Sequence, residues 1–209
     1  MKLRQIAFAA LTLSLCGCAA TSLKQTWKSP TCTGGPVQKI AVLGVDERDF
    51  YRSAVEGHFS SQLRAHGQSA FVTHDLLALP VIKADKQAAA ARVREAGADS
   101  VLIVRLVSST SSASQVRATP GYYAPVVTGY ESGDWYSYYS VAYMDMGTVW
   151  SNSKRDVCLD TSLFDLKTGR RLWSGLTQTV LKEEADRIEE LSKLVTKVLV
   201  AMRQDGVIH

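Results

Sequence analysis

Apolar residues along the first half of this chain follow two spacings in turn, which predicts strands separated by helices. The runs VQKIAVLGV (residues 37–45) and SVLIVRLV (residues 100–107) are almost continuously aliphatic and rich in β-branched residues, as in strands buried inside a sheet. Between them, apolar residues recur at helical spacings from residue 50 to residue 66, and Gly67 ends the pattern. These apolar positions are Phe50, Ala54, Val55, Phe59 and Leu63.

Two further elements complete this half. SAFVTH (residues 69–74) predicts a short strand, and Asp85 can cap an alanine-rich helix predicted over residues 86–96. The alternating order implies right-handed crossovers and parallel strands, as in the first half of a Rossmann unit. The first turn, GVDERD (residues 44–49), lacks the glycine triplet that dinucleotide binding requires, so no nucleotide cofactor is expected.

The second half predicts a hairpin and a long helix. Residues 149–165 and 171–180 have the pattern of two strands, joined by LKTGR (residues 166–170), in which Gly169 can supply a positive φ. From residue 183 to residue 204 an apolar stripe recurs at helical spacing. The predicted fold class is therefore α/β. We expect a mixed, mostly parallel sheet of about five strands, in the order β-α-β-α-β-β-β-α, with helices packed on it.

The first eighteen residues, MKLRQIAFAALTLSLCGC, have a different pattern. Lys2 and Arg4 precede an apolar run over residues 6–15, which is typical of a secretory signal. A run of this length is too short to cross a hydrocarbon core of about 30 Å. The closing LCGC resembles the lipobox of bacterial lipoproteins, with leucine three positions before the last cysteine and a small residue directly before it.

The lipobox resemblance implies that residues 1–17 are a lipoprotein signal peptide and that Cys18 is acylated, for example with palmitate. Cleavage before Cys16 is less favourable because a bulky leucine would then precede the cleaved bond. An ordinary signal peptide with incidental cysteines is the other alternative. Ala19, rather than Asp, after the acylated cysteine predicts sorting to the outer membrane, with the folded domain in the periplasm. Two or three acyl chains are enough for stable anchoring.

The composition after the signal peptide predicts one domain. Residues 18–36 are small, polar and interrupted by Pro and Gly, which predicts a lipid anchor followed by a tether. Trp27, the large apolar residue of this tether, is expected to dock on the domain or to lie at the membrane interface. Residues 37–209 are enough for a single periplasmic α/β domain with an insertion at 108–148.

The charge of the chain argues against nucleic acid as a partner. The chain has 24 basic and 20 acidic residues, a net charge of +4. The net charge falls to +2 once residues 1–17, with Lys2 and Arg4, are removed. Proteins that bind nucleic acid concentrate Lys and Arg on one face, and this sequence has no such cluster.

Two cysteines remain in the mature chain besides Cys18. Because the periplasm is oxidising, Cys32 and Cys158 are expected to form a disulfide that closes a long loop. The alternative is two separate thiols that never meet. No histidine or CxxC spacing accompanies either cysteine, so a metal site is not expected there.

The insertion concentrates aromatic residues. Seven of the eight tyrosines lie in it. Tyrosine offers a large contact area at a small entropic cost, which suits a partner protein, a glycan or the membrane interface. A low-complexity insertion without a fixed partner is the alternative, and pore strands are disfavoured because the residues do not alternate cleanly. The candidate interaction surface consists of Tyr122, Tyr123, Tyr130, Trp135, Tyr136, Tyr138, Tyr139 and Tyr143.

Residues that could support catalysis form no recognisable constellation. The spacing of His58, His66 and His74 does not bring them together, so surface positions are expected rather than a metal site. The serines of residues 108–114 lack a supporting base. Three carboxylates follow the first strand, where α/β sheets bind ligands, but capping of the next helix is the preferred interpretation. They are Asp46, Glu47 and Asp49.

Three stretches, residues 37–67, 95–107 and 162–175, resemble a group of uncharacterised bacterial outer-membrane lipoproteins. The last contains the hairpin DLKTGRRLWSG (residues 165–175), which is like a D-K-T-G-x-x-x-W-S-G motif. More distantly, the chain is similar to the periplasmic domain of the curli-export lipoprotein and its relatives. This resemblance implies an α/β body that oligomerises and an envelope or assembly role, and it supplies no catalytic residues.

These observations predict a non-enzymatic, membrane-anchored lipoprotein, without cofactor or metal. Its expected partner is another envelope protein or a second copy of itself. A module that binds a glycan such as peptidoglycan, and an oligomeric export accessory, are the alternatives.

Overall fold

The computed structural model describes most of the chain from Thr21 onward. The described residues are 21–32, 34–46, 48–78, 81–82, 85–108, 135, 156–180 and 187–209. Within them, the strands and long helices are β1 (Ser22–Lys28), β2 (Lys39–Val45), α1 (Asp49–Ala65), β3 (Ser69–Val72), α2 (Lys86–Glu95), β4 (Ser100–Ser108), β5 (Asp156–Asp165), β6 (Arg171–Val180) and α3 (Arg187–Gln204).

The strands form one mixed sheet in the order β1-β6-β5-β4-β2-β3. Strand β2 is parallel to β3 and β4, whereas the β4–β5, β5–β6 and β1–β6 pairs are antiparallel. The α/β fold with helices on a mixed sheet is confirmed. The sheet differs from the prediction in having six strands and in being only partly parallel. The second half of the chain extends it through an antiparallel hairpin, and β1 then pairs with the outer strand of that hairpin.

Strand β1 lies in the segment that was expected to be a tether. It pairs with β6 from Ser22, opposite Gln178, to Lys28, opposite Trp173. The free edge of β6 offers a row of backbone hydrogen-bonding groups, and pairing satisfies them better than a free polar segment does. Composition alone did not reveal this strand because edge strands are rich in polar and charged residues.

Trp27 docks on the domain, which was one of its two expected positions. Its ring lies 5.1 Å from the guanidinium carbon of Arg171, a distance at which cation–π attraction is effective. Arg171 is itself buried, with 6% of its surface exposed. Trp27 therefore covers a buried charge at the edge of the sheet.

The sheet is covered on both faces. On one face, α1 and α3 bury a cluster that includes Phe59, Leu63 and Trp173. On the other, α2 and the loop before it bury a cluster that includes Leu77 and Val93. No helix within the described ranges combines the length and apolarity needed to cross a bilayer.

The hairpin motif DLKTGRRLWSG has a packing explanation. Gly169 has a φ of 72° in the turn, as predicted. The ring of Trp173 is fully buried, and its indole N–H donates to Asp205 Oδ2 at 2.7 Å. A Cβ atom on Gly175 would lie 2.3 Å from Cη2 of Trp173, so glycine there leaves room for the indole. The motif therefore fixes the hairpin against the end of α3.

Candidate functional site

Most of the sequence-predicted site residues lie outside the described residues. This applies to Cys18 and to Tyr122, Tyr123, Tyr130, Tyr136, Tyr138, Tyr139 and Tyr143. The structure does locate both junctions of the insertion. The chain leaves β4 at Ser108 and re-enters the sheet at Asp156 of the neighbouring strand β5. The insertion is therefore attached at a single end of the sheet.

Trp135 is the member of the candidate interaction surface that the structure describes, and it does not offer an exposed side chain. Only 4% of its surface is exposed, and it belongs to the same apolar cluster as Val45 and Ile82. Trp135 is therefore a core residue and not, as expected, part of an exposed interaction surface. A large indole gains more from burial in the core than from exposure to water.

The expected disulfide between Cys32 and Cys158 is not formed, and Cys32 carries a free thiol. The amide of Cys32 donates to Ser29, whose own amide donates to Leu172 at the start of β6. Cys158 of β5 is opposite Gln178, and Gln178 lies six residues after Leu172 along β6. At about 3.3 Å per residue this separation is about 20 Å, whereas bridged cysteines have Cα atoms within about 7 Å. The sequence interval between the cysteines does not reveal that they lie at opposite ends of the sheet.

A cleft of about 500 Å³ lies at the Cys32 end of the sheet, between the loop before β2 and the β5–β6 turn. Its two carboxylates hold these loops in place. Asp99 accepts the backbone amides of Gln38 at 2.7 Å and Lys39 at 3.1 Å. Asp165 accepts the hydroxyl of Thr168 at 2.7 Å. The cleft is therefore a polar surface feature whose acidic groups are engaged in local structure.

Of the three carboxylates after β2, the structure describes Asp46 and Asp49, and neither is the N-cap residue of α1. The N-cap residue is Arg48, which makes no side-chain capping bond, and Asp49 is the first helical residue. Asp46 instead accepts the backbone amide of Arg48 at 2.8 Å and its guanidinium at 3.0 Å. This hydrogen bond to Asp46 is the main cause of the raised pKa of Arg48. Glu47 lies outside the described residues.

Among the described residues, a dense polar cluster surrounds Glu56, a residue that sequence reasoning missed. Glu56 is fully buried in α1. Its Oε1 accepts the amide of Gly44 at 3.0 Å, Nε of Arg52 at 2.9 Å and the Thr73 hydroxyl at 3.1 Å. Its Oε2 accepts the amides of Thr73 at 2.8 Å and His74 at 2.7 Å, and lies 3.1 Å from His74 Nδ1. We call Glu56, Arg52, Thr73, His74 and Gly44 the Glu56 cluster.

The Glu56 cluster joins three elements at the carboxyl ends of β2 and β3. Gly44 allows the helix to approach, because a Cβ atom there would lie 3.3 Å from Cγ of Arg52. The buried guanidinium of Arg52 and the strand-end amides neutralise and solvate a carboxylate that water cannot reach. The Glu56 cluster therefore has a structural role: it fixes the first two turns of α1 on the sheet.

One feature of the sequence indicates the Glu56 cluster. The buried stripe of α1 consists of Arg52, Glu56, Phe59, Ser60 and Leu63, whose spacing is fully helical. The stripe predicted from apolar residues alone starts instead at Phe50. A charged i, i+4 pair in line with Phe59 and Leu63 was the available indication of a buried ion pair.

Because α1 turns Arg52 and Glu56 toward the sheet, two aromatic residues at its start are exposed. Phe50 is 74% exposed and Tyr51 is 41% exposed. Their ring centroids are 5.5 Å apart at an interplanar angle of 84°, and the guanidinium carbon of Arg48 lies 3.9 Å from the Tyr51 ring centroid. We call Arg48, Phe50 and Tyr51 the α1 aromatic patch. The Glu56 cluster lies directly after it in the helix and holds it in place.

The three histidines are dispersed. His58 lies within α1 and His66 follows the helix, while His74 lies in the Glu56 cluster with 29% of its side chain exposed. His74 Nε2 also lies 3.2 Å from Asp75 Oδ1. In the part of the chain that the structure describes, no three His, Cys, Asp or Glu side chains are grouped so as to hold a metal ion.

No protein-family model and no curated protein matches the sequence. Among solved structures, the chain is similar to a PelC dodecamer from Paraburkholderia phytofirmans, with 11% identity and a TM-score of 0.49, over 91% of this chain and 100% of that chain. A second PelC dodecamer structure has 13% identity and a TM-score of 0.47, over 87% and 95%. Lipoprotein GNA1162 from Neisseria meningitidis has 15% identity and a TM-score of 0.38, over 80% and 99%. These similarities are distant and assign the chain to no family.

Proposed function

We propose that this protein is a non-enzymatic lipoprotein, held on the outer membrane by acyl chains on Cys18, whose periplasmic domain binds another envelope component. The observation that carries this proposal is the position of β1. The strand starts at Ser22 and pairs with β6 from that residue onward. Only residues 19–21 then separate the acylated cysteine from the folded domain. A domain held this close to its anchor meets its partners at the membrane surface.

The buried polar groups favour a binding role over catalysis. A general base has to come within hydrogen-bond reach of its substrate. Glu56 is fully buried and hydrogen-bonded to backbone amides on two strands. Arg105 and Asp160 form a second buried pair across β4 and β5, with Nε and Oδ2 3.1 Å apart. The Arg52–Glu56 pair therefore holds α1 on the sheet, and the Arg105–Asp160 pair joins two neighbouring strands.

Acylation is tested by replacing each cysteine of the LCGC motif. Cys18→Ser should abolish incorporation of labelled palmitate and release the protein from the membrane fraction. Cys16→Ser is the matched control and should leave both unchanged, because that residue is removed with the signal peptide. Loss of labelling in Cys16→Ser but not in Cys18→Ser would mean that Cys16 is the acylated residue, which would contradict the proposal.

Sorting is tested at Ala19. Ala19→Asp should move the lipoprotein from the outer-membrane to the inner-membrane fraction of a density gradient, whereas Ala19→Ser should not. An inner-membrane position for the unaltered chain would contradict the proposed location but leave the anchor intact.

The partner is tested by site-specific photo-crosslinking in intact cells. A photoreactive residue at Tyr138, in the Tyr-rich insertion, should give a crosslinked product of defined mass. The matched control is the same residue at Lys167, which is exposed in the β5–β6 turn at the other end of the sheet. In a second experiment the photoreactive residue is placed outside the insertion. Deletion of residues 117–147 should then abolish any crosslink to the partner. A product of twice the monomer mass would identify a second copy as the partner, and equal products at both positions would contradict a localised surface.

A further inference from the structure

Strand β1 begins at the end of the sheet where α1 starts. Ser22, where β1 begins, is opposite Gln178 of β6, which is opposite Cys158 of β5, and Cys158 is paired with Ser108 at the end of β4. Strand β2 runs parallel to β4 and ends at Val45. The chain therefore enters α1 at the end of the sheet where β1 begins.

The short link keeps this end close to the membrane. Ser22 follows Cys18 by four residues, and an extended chain spans about 3.5 Å per residue, so the two are at most about 14 Å apart. The other end of the sheet, with the turn around Lys167 and the cleft, lies one length of β6 away. For a ten-residue strand that length is about 33 Å. The α1 aromatic patch is thus on the membrane-proximal end and the cleft on the distal end.

The side chains of the patch suit the boundary between lipid and water. Phe50 and Tyr51 present exposed rings, and the guanidinium of Arg48 lies against the ring of Tyr51. Aromatic rings favour the headgroup level of a bilayer, and a guanidinium can donate to lipid phosphate. Asp46 offsets much of the Arg48 charge, so the rings rather than the charge should dominate the contact. Among the described residues, Val200 is the other large hydrophobic side chain classed as exposed.

We propose that Phe50 and Tyr51 insert into the headgroup region of the membrane that carries the anchor, with Arg48 beside a lipid phosphate. This inference rests on the proposed acylation of Cys18. Strands β1 and β2 are four strand spacings apart in the sheet, which is about 19 Å. The anchor and the patch therefore hold the domain at two separate points. Two such points restrict its rotation on the membrane and direct the cleft toward the periplasm.

The test measures membrane contact at one residue of the full, acylated chain. A nitroxide is attached at Phe50→Cys in protein that also carries Cys32→Ser and Cys158→Ser, and the protein is reconstituted into phosphatidylethanolamine–phosphatidylglycerol vesicles. The matched control carries the nitroxide at Lys167→Cys. Collisions with oxygen report a lipid environment, and collisions with a water-soluble nickel chelate report water. Because both sites are exposed, the label should be tolerated at each.

We expect the ratio of oxygen to nickel accessibility to be several-fold higher at residue 50 than at residue 167. Equal ratios, with vesicles that still carry the protein on flotation, would overturn the lipid contact while the anchor stands. Failure of the acylated protein to float would overturn both the anchor and the inference. Shielding of residue 50 that occurs only when other envelope proteins are added would overturn the lipid contact and assign the patch to a protein partner.

Discussion

Oε1 of Glu56 accepts a hydrogen bond from the backbone amide of Gly44 at 3.0 Å, which ties helix α1 to the end of strand β2. The same oxygen accepts Nε of Arg52 at 2.9 Å. A fully buried carboxylate thus links a strand end, a guanidinium and, through its second oxygen, the turn after β3. The orientation of α1, and with it the exposure of Phe50 and Tyr51, depends on this contact.

Replacing Glu56 with glutamine should be strongly destabilising. The amide keeps the volume but loses the negative charge, which leaves the Arg52 guanidinium buried without a counter-charge, and its single carbonyl oxygen cannot serve all the donors. Breaking one side of a buried pair costs about 3–5 kcal/mol of unfolding free energy. Urea unfolding of the purified protein measures this change. Glu95→Gln, at an exposed position of α2, is the matched control and should change stability by less than about 0.5 kcal/mol. An equally small change for Glu56→Gln would contradict a stabilising role for the Glu56 cluster.

The strands and helices were largely predictable because their apolar periodicity is strong. The runs around Val42 and Ile103 predicted buried strands, and Gly67 and Gly169 predicted the end of a helix and a turn. Residues 22–28 escaped prediction because an edge strand needs only backbone pairing, which polar side chains do not disfavour. The strand order was not predictable for the same reason, because β1 pairs with β6, which is far away in the sequence.

The candidate site was harder to predict than the fold. Arg52 and Glu56 are charged residues, and their burial depends on amides from β2 and β3 that approach only in the folded chain. Phe50 was expected inside because it is apolar, yet its exposure follows from the rotation that the buried ion pair imposes. Cys32 and Cys158 were expected to pair, and only the register of β5 and β6 shows that they are far apart.

Substitution of Gly175 by alanine should disturb the packing of the hairpin motif. The added Cβ would lie 2.3 Å from Cη2 of Trp173, so the fully buried indole has to shift, and its hydrogen bond to Asp205 is strained. Overpacking of this kind costs about 1–3 kcal/mol. Thermal or urea unfolding, with the near-ultraviolet signal of the indole, reports the change. Gly57→Ala is the control, since no atom lies within 4 Å of its added Cβ and helix propensity favours alanine there. Equal stability of the two variants would contradict the proposed contact.

Substitution of Trp27 by alanine should destabilise the domain, which a residue in a free tether would not do. The ring covers the Arg171 guanidinium at 5.1 Å and is partly buried on the edge of the sheet. Loss of the cation–π contact and of the apolar contact should lower the unfolding free energy by about 1–2 kcal/mol. Thr26→Ala, at the adjacent exposed position of β1, is the matched control and should have a smaller effect. If both variants keep full stability, β1 does not contribute to the folded domain.

Cys32 and Cys158 should carry free thiols even in protein that has never been exposed to a reductant. Cys32 lies near Leu172, and Cys158 is opposite Gln178. Six strand residues, about 20 Å, separate Leu172 from Gln178, which is well beyond the span of a disulfide. Protein purified without reductant, unfolded and treated with an alkylating reagent should therefore gain two adducts by intact mass, one on each cysteine. Cys32→Ser and Cys158→Ser should each remove one adduct and lower the unfolding free energy by less than about 1.5 kcal/mol, whereas loss of a native disulfide costs about 2–5 kcal/mol. A linked peptide pair containing residues 32 and 158 in the unreduced digest would contradict the register of β5 and β6.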